Sequence, residues 1–142
     1  MDYQVTISSE VDFLHFKIEG RINPDMLKEV LSIGMADLMI SENKGIVIDV
    51  SSAAFSEEHC KVAEAKVAEL VATVNVPQNS RLALIHNGPE EQRSCFRGLA
   101  VATGIALEFF SSLNEAKFWI DKAINHPTAA LAPQFESGNS IQ

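Results

Sequence analysis

Hydrophobic and polar positions alternate with period two in two stretches near the N-terminus. In Tyr3–Ser8, Val5 and Ile7 alternate with polar neighbours; in Phe13–Glu19, Leu14, Phe16 and Ile18 alternate with His15, Lys17 and Glu19. That period marks strands, and the short polar link between them predicts an antiparallel hairpin. From Asn23 the period changes. Asn23-Pro24-Asp25 supplies an N-cap, a residue tolerated at the first helical position and a negative charge for the positive end of the dipole, so a helix is predicted from there to about Ile40. Its apolar residues (Met26, Leu27, Val30, Leu31, Ile33, Met35, Leu38, Ile40) span an arc of roughly 220°, wider than the ~100° stripe that covers a sheet. Either the surplus is buried under a neighbouring helix or the chain termini, or it is an apolar interaction face. On the second reading Met26, Val30, Ile33 and Ile40 would meet a partner, an apolar ligand or a second subunit.

Ser41–Gly45 is a polar break. The next stretch, Gly45–Ser56 (GIVIDVSSAAFS), reads as a strand buried on both faces that ends in Asp49, a small-residue connection, and a helix capped by Ser56 with Glu57 and Glu58 in its first turn. Cys60, Ala63, Val67, Leu70, Val71 and Val74 form the helix's apolar stripe, and Asn75–Asn79 stops it. Arg81–His86 (RLALIH) is a short apolar strand. A helix starts at Gly88-Pro89-Glu90-Glu91, turns Cys95, Phe96, Leu99 and Ala102 inward and stops near Gly104. Ala106–Phe110 is the last strand. Ser112–Glu115 has capping-box spacing and opens a final helix with Leu113, Ala116, Ile120 and Ile124 inward. Residues 126–142 show no period and are expected to form a flexible C-terminal tail after one domain over 1–125. The order ββαβαβαβα predicts a single-domain α/β fold on a mixed sheet, with strands three to five largely parallel and one hairpin strand antiparallel at an edge.

Composition narrows the function classes. A 46% apolar and 21% charged chain of 142 residues is that of a soluble globular domain able to bury a real core. The net charge of −8 argues against a nucleic-acid or anionic-membrane surface. No apolar run reaches the ~18–20 residues of a membrane span, and no secretory signal is visible, so a cytoplasmic protein without an integral membrane segment is expected. Cys60 and Cys95 then read most simply as buried thiols in a reducing compartment, with a disulfide as the alternative that no sequence feature supports.

Four segments in this order resemble the SpoIIAA-like group of the STAS superfamily, whose fold is shared with SEC14-type lipid-binding domains. They are Phe16–Ile22 (FKIEGRI), Gly45–Ser51 (GIVIDVS), Arg81–Ile85 (RLALI) and Phe110–Ile120 (FSSLNEAKFWI), and the similarity covers about residues 3–124. The resemblance implies a STAS/SpoIIAA-like sheet and a non-enzymatic role: anti-sigma factor antagonist, transporter regulatory domain, or nucleotide or lipid binder. In the antagonists an aspartate after strand three is followed by a serine at a helix N-terminus that a kinase phosphorylates. Asp49 looks like that aspartate and Ser56 is the nearest match to the phospho-acceptor. The family's Asp-Ser-Ser-Gly is absent, and Phe55-Ser56-Glu57-Glu58 stands in its place.

The remaining chemistry is sparse. A phosphate on Ser56 would gain from the helix N-terminus but face Glu57 and Glu58, and an N-cap alone accounts for the serine. Asp49, His59 and His86, with Ser51 or Ser52, make a formal Ser/His/Asp set. No G-x-S-x-G elbow, HExxH or paired-cysteine spacing accompanies it, and no glycine-rich phosphate loop follows a strand. No metal and no cofactor is therefore expected, and Asp49 reads as a cap for backbone N–H groups in its own turn. Arg93 and Arg97, i,i+4 on the outer side of their helix, either pair with Glu90 at i,i+3 or contact a small anion or an acidic partner. Phe118 falls opposite the inward side of its helix; with the broad apolar arc it suggests a homodimer. The leading expectation is a regulatory or interaction module acting through a protein partner or small ligand, with Asp49, Ser56, His86, Arg93 and Arg97 as its binding residues. A carrier of a lipid or other hydrophobic small molecule comes second. A hydrolase-like enzyme using Asp49 and His86 comes third.

Overall fold

The computed structural model describes residues 3–54, 57–71, 77, 79–88 and 90–125, without the side chains of residues 57, 59, 60, 71, 91, 92, 102 and 123–125. The element order is β1 (Tyr3–Ser9), β2 (Phe13–Arg21), α1 (Pro24–Ile40), β3 (Gly45–Ala54), α2 (Glu57–Val71), β4 (Arg81–Ile85), α3 (Glu90–Thr103), β5 (Ala106–Phe110) and α4 (Leu113–Asn125). The five strands lie side by side in chain order; β1 runs antiparallel to β2, and β2 to β5 are mutually parallel. This is the expected mixed sheet. The predicted tail and Ser56 lie outside the described residues, as do the side chains of His59 and Cys60.

Two cores divide the sheet. On one face Leu14, Phe16 and Ile18 of β2, Ile46, Ile48 and Val50 of β3, and Leu82 and Leu84 of β4 pack under α1, α2 and α3. On the other, Phe13, Val47, Ala83 and Ile85 pack under Ala116 and Ile120 of α4. Right-handed crossovers that step in one direction along a sheet put their helices on one face; only the connection after β5 passes to the other.

Caps hold the helix ends as their sequences suggest. The Asn23 side chain accepts the Met26 N–H at 2.8 Å, and Gly104 takes a positive φ of 75° at the end of α3. Ser112 Oγ accepts the Glu115 N–H at 3.3 Å while Glu115 Oε1 accepts the Ser111 N–H at 3.2 Å, a capping box shifted back by one residue.

Three expectations need correction. The interaction face on α1 is half core: Met26 and Val30 are only 4% and 3% exposed, whereas Ile33 is 39% and Ile40 84% exposed. A helix flanked by the sheet below and α2 beside it buries more than one stripe. β3 does not end at Asp49 but continues to Ala54, paired with Glu19, Gly20 and Arg21 of β2 after a bulge that gives β3 one extra residue. Cys95 is not a thiol but disulfide-bonded. The two helical patterns could not disclose that α2 and α3 pack side by side, and the bond removes the cysteines as an argument for a reducing compartment. No helix among the described residues is long and apolar enough to cross a membrane.

Candidate functional site

Open α/β sheets bind ligands outside the carboxyl ends of their strands, in the crevice where neighbouring connections leave toward opposite faces. Here that condition is met between β4 and β5. The chain leaves β4 for α3 on one face and leaves β5 for α4 on the other, and a crevice of about 540 Å³ opens between the two connections.

His86 and Asn87 form its floor and wall from the β4 side, Phe110 and Ser111 from the β5 side, and Arg93 and Arg97 reach in from α3. The His86 N–H donates to the Phe110 carbonyl at 3.0 Å, which extends the β4–β5 ladder by one residue and fixes the floor. His86 is 2% exposed, and its ring meets Phe96 and Phe109 edge-on at centroid distances of 6.4 and 6.2 Å. Both guanidinium groups lie over the Phe109 ring, Arg93 at 5.6 Å and Arg97 at 5.3 Å.

The charges around the crevice are differently committed. Arg97 pairs with Glu90 through a 2.7 Å bond, and this hydrogen bond holds the Glu90 carboxyl below the usual range. The partner is i,i+7 along α3; the expected i,i+3 pair of Glu90 with Arg93 does not form among the described residues. Glu115 is engaged by Ser111 Oγ at 2.9 Å as well as by the Ser111 N–H, which lowers its pKa. Glu108 accepts only its neighbour's N–H, from Phe109 at 3.2 Å, among the described bonds. Arg93 Nε is buried with no hydrogen-bond partner among the described residues. A buried donor left in that state costs about 1–3 kcal/mol, so a ligand acceptor there has a gain to collect.

The other candidate residues stand apart. Asp49 sits in the middle of β3, half-buried, and its Oδ1 accepts the Ser51 N–H at 3.0 Å and the Ser51 Oγ–H at 2.6 Å. It caps a local N–H as expected, but at the β-bulge rather than in a turn. Register alternation places Asp49 beside Ile85 on the α4 face. His86, one residue past Ile85, packs on the opposite face against Phe96. The sheet therefore separates Asp49 from His86, and Ser51 and Ser52 are exposed on β3 beyond Asp49. Asp49 instead faces His15 of β2, whose pKa is lowered by burial, with the Asp49 charge opposing that shift. Among the described residues no group of three or more His, Cys, Asp or Glu is placed to hold a metal ion.

Of the five expected binding residues, the fold brings together His86, Arg93 and Arg97. The sequence missed Glu108, Phe109 and Ser111, which enter only because β5 abuts β4 and its connection crosses to the other face. A second cleft, about 370 Å³, lies at the opposite end of the sheet beside the exposed Val11 and Phe118, where the β1–β2 turn meets α4.

No family model and no curated protein matches the sequence. Solved structures do match over most of the chain. An anti-sigma factor antagonist from Mycobacterium paratuberculosis is 14% identical with a TM-score of 0.57, covering 84% of this chain and 94% of its own. A DUF3478-family protein with a SpoIIAA-like fold from Shewanella loihica PV-4 is 18% identical with a TM-score of 0.53, covering 83% and 93%. The anti-sigma factor antagonist SpoIIAA in its unphosphorylated form is 12% identical with a TM-score of 0.51, covering 83% and 98%. The fold is SpoIIAA-like, as the resemblance implied.

Proposed function

We propose that this SpoIIAA-like domain is a regulatory module that works by binding a protein partner at the carboxyl edge of its sheet. The observation that carries the reading is the likeness, over more than four-fifths of the chain, to anti-sigma factor antagonists. The geometry supports it in two ways. The crevice and the exposed ends of the connections lie along one edge, and Asp49 and His86 have the sheet between them, which denies them joint acid–base work. Ser56 retains its role as candidate phospho-acceptor in this proposal.

The close fit of α1 on the sheet speaks against the carrier reading. Leu27, Leu31, Met35 and Leu38 are at most 2% exposed, and the Gly34 backbone approaches Ile46 so closely that a Cβ would lie 2.7 Å from its Cδ1. A lipid would have to displace this layer.

Two measurements test the proposal together. Native mass spectrometry of the protein purified from its host is expected to show a stoichiometric complex with a second protein that reforms from purified components. A panel of hydrolase substrates is expected to give no turnover. Turnover that Asp49→Ala or His86→Ala abolishes overturns the proposal.

A further inference from the structure

We propose that the β4–β5 crevice binds a small zwitterion of the amino-acid class, with Arg93 receiving the carboxylate and Glu108 the ammonium group. The inference goes beyond the partner-binding reading, and either can fail without the other.

The cations differ in availability. Arg97 is held by Glu90 at 2.7 Å. Arg93 keeps a buried Nε without a hydrogen-bond partner among the described residues and belongs to neither described ion pair. Its guanidinium, steadied against Phe109 at 5.6 Å, suits the two-point recognition of a carboxylate. The carboxylates differ in the same way. Glu90 is taken by Arg97 and Glu115 by Ser111, leaving Glu108, whose one described bond is to the adjacent Phe109 N–H. One fork and one carboxylate thus remain, and both line the crevice at the edge strand β5: Arg93 from α3 over Phe109, Glu108 from the face of β5 that α4 covers.

Charge selects among the anions. The two arginines and three glutamates at the crevice sum to −1, inside a chain of net −8. A phosphate dianion would bring that to −3, beside the Glu108 and Glu115 carboxylates. A zwitterion leaves the balance unchanged and pairs both uncommitted groups. A volume of about 540 Å³ leaves room for a side chain beyond the two charged groups, against Phe110.

The test uses the full chain, labelled with nitrogen-15, and follows the Arg93 Nε–Hε resonance during titration with glycine, L-leucine, L-phenylalanine and L-glutamate. At least one is expected to shift that resonance saturably, with propionate and ethylamine roughly tenfold weaker because each lacks one charged contact. Arg93→Gln and Arg93→Lys should abolish or weaken binding, and Glu108→Gln should weaken it roughly tenfold. Glu108 is exposed, so Glu108→Gln serves as the variant expected to keep the fold whatever Arg93→Gln does, with melting temperatures reporting folding for each. The proposal is overturned if none of the four amino acids moves the resonance, if folded Arg93→Gln or Glu108→Gln binds as the unmodified chain does, or if inorganic phosphate binds and the amino acids do not.

Discussion

Gly45 stands where β3 begins, and α4 reaches it through Ile120. A Cβ at this position would lie 2.7 Å from Ile120 Cδ1, 2.9 Å from Cγ1 and 3.1 Å from Cγ2. Carbon atoms rest at about 3.5–4.0 Å, and Ile120 is 1% exposed in the core between α4 and the sheet. Because three atoms are too close, a single rotamer change does not relieve the clash and α4 must lift away from β3. Overpacking of this kind costs about 1–3 kcal/mol, against a gain of roughly 0.5–1 kcal/mol from replacing a strand glycine by alanine. Gly45→Ala is therefore expected to destabilise by about 1–2 kcal/mol, lowering the melting temperature by roughly 4–8 °C in a domain of this size. Circular dichroism melts and urea titrations measure it. In an Ile120→Ala background, itself ~2–5 kcal/mol less stable, the clash is gone and Gly45→Ala should become neutral or mildly stabilising. Additive effects of the two substitutions would refute the close packing of α4 on β3.

Further expectations follow from the corrected fold. On α1, Met26→Ala should cost ~2–5 kcal/mol as a core truncation, while Ile40→Ala should stay within about 0.5 kcal/mol; equal effects in urea titrations would contradict the assigned burial. His15 has its pKa lowered below 6.5 by burial, so the unfolded chain binds the proton more readily. Its contribution to stability is complete above the unfolded pKa and is lost as pH falls from there through the lower folded pKa; His15→Gln should flatten that part of the stability–pH curve, and an unchanged slope would assign it elsewhere. Asn23→Ala should cost about 1 kcal/mol through loss of the α1 cap, read from chemical denaturation. Ser56→Ala should also cost about 1 kcal/mol if the serine caps α2; partner binding lost at unchanged stability would assign it to the interface instead.

Period-two and period-3.6 patterns, with the Asn23 and Ser112–Glu115 caps, were enough to place the nine elements of the described residues in order. What escaped depended on neighbours. Ser51–Ala54 carries no β-branched residue, and it becomes strand because Glu19–Arg21 of β2 pairs with it beyond the bulge. The wide apolar arc of α1 cannot tell burial under α2 from exposure, because both demand the same residues. The site was legible only in fragments. His86, Arg93 and Arg97 carry suitable chemistry wherever they lie, but their meeting with Glu108 and Phe109 follows from α4 crossing to the other face of the sheet, a choice that no local pattern in residues 106–125 records.

The assignment of the functional surface to the carboxyl edge of the sheet is the central claim, and one binding measurement reaches it directly. Once the protein partner is purified, sedimentation velocity compares the chain with Ser52→Arg and Asn87→Arg, exposed at that edge, and with Val11→Arg and Phe118→Arg, exposed at the opposite end. The edge substitutions are expected to weaken the complex by roughly tenfold or more at unchanged melting temperature, and the distal ones to leave it intact. Edge variants that bind like the unmodified chain, while Val11→Arg or Phe118→Arg dissolves the complex, would contradict the account.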